Sequence, residues 1–219
     1  MPAFGISAFL RIVHMNARPQ LTELYRRSTP KKGGYDFHNS LRRLSQLLMS
    51  GESLENVLAA AMTIVQPPER QSAQLGLRRL ATWRAQNPGA ILDIAPVTVQ
   101  SPEARFSVTF TPNFGLRIAD SFVAIHVWNT VKPRLEERLV RAILSSFQPA
   151  YRATASSPDD IAVLCLRTMR PIRLGDASDV AGLGQLIFAN IDSIFRDIAA
   201  TREGPRPASE DRPTPPPGE

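Results

Sequence analysis

Residues 105–130, RFSVTFTPNFGLRIADSFVAIHVWNT, carry two runs in which apolar and polar side chains alternate. Successive side chains of an extended chain point to opposite faces, so a period of two marks strands rather than helices. Phe106, Val108 and Phe110 alternate with Ser107, Thr109 and Thr111, which predicts a strand with one buried and one wetter face. Pro112-Asn113 supplies a turn, expected to be longer than two residues because proline cannot take the positive φ of a primed hairpin turn. Phe114, Leu116 and Ile118 make the next strand, and Asp120-Ser121 returns the chain into Phe122–Asn129. In that last strand Val123, Ile125 and Val127 share one face, while Phe122, Ala124, His126 and Trp128 share the other. Both faces are mostly apolar, so this strand belongs inside a sheet covered on both sides, or covered on one side and partly shielded on the other.

C-terminal to it the period lengthens. Asn129 or Thr130 is placed to cap a helix with Pro133 near its first turn, apolar stripe Leu135, Leu139, Ile143 and Phe147, and an i,i+4 pair of Glu137 with Arg141. A polar linker at 152–158 leads to Asp160–Leu166, an apolar run of the length of a fully buried strand. The intervening helix gives the connection the length of a crossover, which predicts that this strand runs parallel to Phe122–Asn129. Cys165, the one cysteine, lies inside this run and reads as a small buried hydrophobe; an intrachain disulfide and a multi-cysteine zinc site are excluded. Ser178 or Asp179 caps the last helix, whose Val180, Leu183, Ile187, Ile191, Ile194 and Ile198 follow the spacing of one helical face. Gly182 and Gly184 within it point to close helix packing. From Gly204 the tail GPRPASEDRPTPPPGE has six prolines in 16 residues and is expected to be disordered and partly polyproline II.

N-terminal to the opening stretch the pattern is helical. Ala3–Met15 and Gln20–Arg27 form two short helices, and Pro30, Gly33 and Gly34 break the chain into a basic loop over Ser28–Tyr35. Asp36 is placed to cap a helix bearing Leu41, Leu44 and Leu48; Ser53 caps the next; and Pro67-Pro68 opens Glu69–Ala85. Ala90–Val99 reads as a strand broken by Pro96. The fold class is therefore α+β: a helical N-terminal part (1–89) packed on a small mixed β-sheet part (90–203), with three antiparallel strands, a crossover helix, a parallel strand and a C-terminal helix, followed by a Pro-rich tail (204–219).

The chain carries a formal net charge of +6, spread as +7 over residues 1–90, +1 over 91–150 and −2 over 151–219. A basic helical half followed by a neutral to acidic half suits a surface for an anionic partner, or simply a solvated arginine-rich exterior. Arg26, Arg27, Lys31, Lys32, Arg42 and Arg43 cluster in sequence around the glycine-containing loop, with Tyr25 and Tyr35 interleaved, a composition suited to neutralising phosphates and stacking on bases. Arginine outnumbers lysine 23 to 3, which points to a GC-rich bacterial genome. No apolar run reaches the ~20 residues of a spanning helix, and the N-terminus lacks the pattern of a secretory signal, so a cytoplasmic location without membrane attachment is expected.

Catalytic motifs are sparse. His14, His38 and His126 have no metal-ligand spacing, no G-x-S-x-G is present, and no phosphate-binding glycine loop precedes a helix. No cofactor or metal is expected. Asp159-Asp160 reads as a polar turn. The order strand, strand, strand, helix, strand over roughly residues 70–170 resembles the core of the restriction-endonuclease-like nucleases. That resemblance implies a divalent-metal site with Asp120 as its first acid. Apart from it, His126 near the end of its strand reads as a hydrogen-bonded core or rim histidine, with a catalytic role as the alternative. The family's acid-x-Lys triplet has no counterpart, since Phe122–Thr130 contains no Asp, Glu or Lys. The sequence thus leads to a non-enzymatic binding or regulatory protein that takes nucleic acid or an acidic protein partner through its basic helical half, with a degenerate metal-dependent nuclease as the alternative.

Overall fold

The computed structural model describes residues 1–29 and 39–203. Its centre is a five-stranded sheet of order β2-β5-β6-β7-β8, comprising β2 (Ala90–Leu92), β5 (Phe114–Ile118), β6 (Ser121–Trp128), β7 (Asp160–Cys165) and β8 (Arg170–Arg173). A second sheet of order β1-β4-β3 joins β1 (Ala3–Gly5), β4 (Ser107–Phe110) and β3 (Val97–Gln100). Among the described residues the helices are α1 (Ile6–Val13), α2 (Ala17–Arg27), α3 (Asn39–Met49), α4 (Leu54–Ala61), α5 (Pro67–Gln86), α6 (Glu137–Ser145), α7 (Gln148–Arg152) and α8 (Ala181–Glu203). The α+β class and the mixed sheet expected from the sequence hold.

The expected two-sided burial of β6 is observed. On one face Ala124 and Trp128, with Ile161, Val163 and Cys165 of β7, pack into a core shared with Phe9 of α1, Ile143 of α6 and Phe188 of α8. On the other, Val123, Ile125 and Val127 meet Leu80 and Trp83 of α5 and Met49 of α3. A third cluster holds α3, α4 and α5 together through Leu44, Val57, Ala61 and Leu77. β6 and β7 are parallel, joined through α6 and α7, and their register brings Trp128 beside Cys165 at the carboxyl ends. Ser53 caps α4 as expected, its Oγ accepting from the Asn56 N–H at 3.1 Å.

Several expectations are corrected. Phe106–Thr111 does not form a hairpin with Phe114–Ile118; β4 leaves the central sheet to pair with β3 and, in parallel, with β1. Pro112 has no N–H to continue a ladder, and Asn113 takes over: its backbone N–H donates to Ile125 O, its Oδ1 accepts from Val127 N–H, and its Nδ2 donates to Ser45 Oγ. The chain thereby steps from one sheet to the other. Ala90–Val99 is likewise two strands in two sheets, parted around Pro96. Ala3–Gly5, expected as helix, is β1, and β8 carries Pro171 on a sheet edge where a missing donor costs no ladder bond. The crossover helix begins at Glu137, several residues beyond Pro133, with the Lys132-Pro133 peptide cis. Arg141 turns from Glu137 to Asp179, its Nη2 donating to Oδ1 at 2.9 Å, so Asp179 anchors the approach to α8. The expected Asp36 cap and the Pro-rich tail lie outside the described residues.

Candidate functional site

The carboxyl ends of parallel strands leave a crevice where chain segments diverge, the usual ligand position in sheets of this kind. Here the chain leaves β6 through Asn129–Glu136 and β7 through Leu166–Met169, while the end of α1 and the start of α2 form the opposite wall. The result is a groove of about 1190 Å³. Trp128 and Cys165 lie at its floor, and Met15, Leu135 and Ile172 make much of its wall apolar. Among the described residues Arg11, Lys132, Arg134 and Arg167 also line it, and no Asp or Glu does. All four cations are exposed. His14 fastens one wall: its Nδ1–H donates to Leu10 O at 2.8 Å, and its Nε2 accepts the Glu136 N–H at 2.9 Å, tying the loop after β6 to α1.

Next to this groove lies a small cavity of about 10 Å³, room for a group about the size of one water. Ser7, Arg42, Asn113, His126, Asn129 and Thr130 are among its walls, and Thr130 lines both the cavity and the groove. His126 is only 2% exposed. Its Nδ1 lies 2.8 Å from Thr111 O, and its Nε2 lies 2.7 Å from Ser7 Oγ. A carbonyl can only accept, so Nδ1 carries the proton; in the neutral ring Nε2 is then the acceptor and Ser7 Oγ–H the donor. Asn129 is held by its Nδ2, which donates to Ser72 O at 3.0 Å, and a Cβ on Gly76 would come within 2.9 Å of that nitrogen. The close approach of α5 to the end of β6 thus depends on glycine.

The residues singled out in the sequence scatter. Asp120 is exposed in the turn before β6, six residues from His126 along an extended chain and hence roughly 20 Å away. Asp159 and Asp160 sit at the same far end, Asp159 Oδ2 accepting from Phe122 N–H and Asp160 Oδ2 bonding Arg173. Among the described residues no group of three or more His, Cys, Asp or Glu side chains is placed to hold a metal. Arg26 and Arg27 both bind the carboxylate of Glu23, at 2.9 and 2.8 Å. Burial pushes the Glu23 carboxyl upward, but the hydrogen bonds and charges of Arg26 and Arg27 outweigh it and hold the group below the usual carboxylate range. Arg42 faces the small cavity, Arg43 lines a separate depression with Asp93, and Lys31 and Lys32 lie outside the described residues. The groove cations come from α1 and the loops after β6 and β7, segments far apart in sequence, so no local cluster announces them. Ser7 has no sequence signal either, since its partner is 119 residues away.

Compared with known proteins, the chain matches no family model and no curated protein. No helix among the described residues is long and apolar enough to cross a membrane.

Proposed function

We propose that this is a binding protein for an anionic ligand, which it takes into the groove at the carboxyl ends of β6 and β7. The observation that carries this reading is the lining: four cationic side chains converge from three segments with no acid among the described lining residues, and of the four Arg11 reaches a carboxylate outside the groove, Glu23, at 3.8 Å. Like charges gathered around a concave, partly apolar wall repel one another, and a bound anion relieves that repulsion while the field steers it in. The apolar lining at Trp128, Met15 and Leu135 adds that the ligand has an apolar body beside its phosphate or carboxylate. The anionic partner inferred from net charge is retained, but its seat moves from the α2–α3 arginines to this groove. Arg26 and Arg27 are occupied by Glu23, whereas Lys132, Arg134 and Arg167 project from loops around an open space.

The test is calorimetric titration of the full-length protein with pyrophosphate, a nucleoside triphosphate and a short single-stranded oligonucleotide. At least one of these probes binds, and Lys132→Glu with Arg167→Glu weakens it about a hundredfold, roughly tenfold for each reversal. An oligonucleotide bound through all four cations weakens with salt on a logarithmic slope of roughly −3, from ~0.7 counterions released per contact. Affinity that is indifferent to both reversals overturns the proposal.

A further inference from the structure

We infer that Ser7 and His126 are a nucleophile and its general base, acting on carboxylic esters or thioesters that carry a negatively charged group. Ser7 is the second residue of α1, directly after β1 ends at Gly5, and it is half-buried and lines the small cavity. His126 is buried on the central strand with its ring clamped between Ser7 Oγ and Thr111 O. That clamp meets two geometric requirements of an activated serine: nucleophile and base in direct hydrogen bond, and a third group that fixes the base's tautomer and orientation. Here a backbone carbonyl fills the orienting role that a carboxylate takes elsewhere. Pro112 follows Thr111, and β4 precedes it, so this carbonyl is held at the junction of the two sheets. The amides of the first turn of α1 adjoin Ser7, and the cap residue Gly5 brings no side chain to them, which leaves them suited to a developing oxyanion.

The site and the groove run along the same two elements. Arg11 is one helical turn beyond Ser7 on α1, Trp128 is the next side chain on the His126 face of β6, and Thr130 lines both spaces. The cavity at the pair admits little more than one small group, so the body and charge of the substrate lie in the groove while its carbonyl reaches Ser7. The anionic character of the substrate rests on the groove reading; the nucleophile does not.

In the reaction Ser7 Oγ attacks the carbonyl carbon as its proton passes to His126 Nε2. The tetrahedral intermediate expels the alcohol or thiol, which takes the proton from Nε2 as the C–O or C–S bond breaks, leaving an acyl ester on Ser7. Water then attacks that ester, His126 accepting its proton and returning it to Ser7, and the carboxylic acid product departs. No oxidant or reductant is required.

The experiment uses the full-length protein with a fluorophosphonate probe, read by intact mass and peptide mapping. The expected result is a single adduct on Ser7, absent in Ser7→Ala and formed about a hundredfold more slowly in His126→Gln, the contribution of one general base. If His126→Gln does not fold, by circular dichroism, the pH dependence of labelling in the native protein replaces it, expected to rise as one group loses a proton. A folded native protein that leaves Ser7 unlabelled from mildly acidic to mildly alkaline pH overturns the inference. Hydrolysis of nitrophenyl acetate against nitrophenyl hemisuccinate separates the two readings. Lys132→Glu with Arg167→Glu is expected to lower kcat/KM for the charged ester by about tenfold or more beyond any change for the neutral one. Equal effects on both esters would remove the groove from the reaction while Ser7 labelling still upholds the nucleophile.

Discussion

Glu23 of α2 is nearly buried, and three guanidinium groups reach it: Arg26 and Arg27 at hydrogen-bond distance and Arg11 at 3.8 Å. Arg11 also lines the groove, so one carboxylate both ties α2 to α1 and tempers the charge of the site. Removing its charge therefore acts in two directions. Glu23→Gln is expected to destabilise the fold by about 1 kcal/mol, the range of ion pairs whose partners remain partly in water, and to raise affinity for an anion at low salt by a factor of about two, since Arg11 is released. The carboxyl is held below its ordinary value of 4.5 in the folded protein. Its stabilisation is therefore complete above that value and is lost as pH falls through the lower folded one. Urea melts of the native protein and Glu23→Gln should differ at neutral pH and converge in strong acid; a difference that persists in acid would assign the effect to packing instead. Single residues were partly readable in the sequence. Asn113 was recognisable as a turn residue, but its side chain answers Val127 and Ser45, partners 14 and 68 residues away, and no local pattern carries that information.

At the scale of elements, the legible ones have strong periodicity and local signals. α8 follows its apolar stripe, α4 starts at its serine cap, and β6 shows its two apolar faces. The ones misread are short strands whose pairing is set by distant segments: β1 finds β4 about a hundred residues on, and three residues of strand carry too few alternations to be seen. Of the two glycines expected to allow close packing of α8, Gly184 is closely packed and Gly182 is not, and the difference decides a prediction. A Cβ at Gly184 would stand 2.3 Å from Ala142 O of α6 and 2.9 Å from Ser145 Oγ. Alanine is a better helix former than glycine by about 1 kcal/mol, so helix propensity alone predicts that Gly184→Ala stabilises. The contact is with backbone, which cannot swing aside, and overpacking of that kind costs about 1–3 kcal/mol or more. The clash is expected to win, with Gly184→Ala lowering the urea midpoint, while Gly182→Ala, which meets nothing within 4 Å, leaves it unchanged or raises it. Equal effects at the two positions would mean that α8 does not sit on α6 as described.

Over the whole molecule, the first core cluster brings the two halves of the chain together. Phe4 and Phe9 from the N-terminal segment meet Phe106, just before β4, and Phe188 and Phe195 from α8, with Phe4 and Phe106 edge to face at 5.8 Å and Phe9 and Phe188 at 5.0 Å. β1 also covers one side of β4, whose other side holds β3. A count of charges and apolar residues in the sequence shows that a core exists, but not that residues 1–16 are part of the core of residues 90–203. Truncating one buried phenylalanine to alanine costs about 3–5 kcal/mol, against a total stability of about 5–15 kcal/mol for a domain. Deleting residues 1–16 removes Phe4 and Phe9 together with Leu10 and Ile12, all 2% exposed or less, and leaves β4 with an open edge. The loss equals or exceeds everything that holds the chain folded. The deletion variant is therefore expected to show no cooperative thermal transition and to bind a hydrophobic dye, whereas a variant ending after Glu203 melts within a few degrees of the full chain, since it keeps every core residue among the described ones. A cooperative melt of the variant lacking residues 1–16 would show that the aromatic cluster is peripheral to the fold, and would place the weight of its stability on the second face of β6, among Leu80, Trp83 and Phe114.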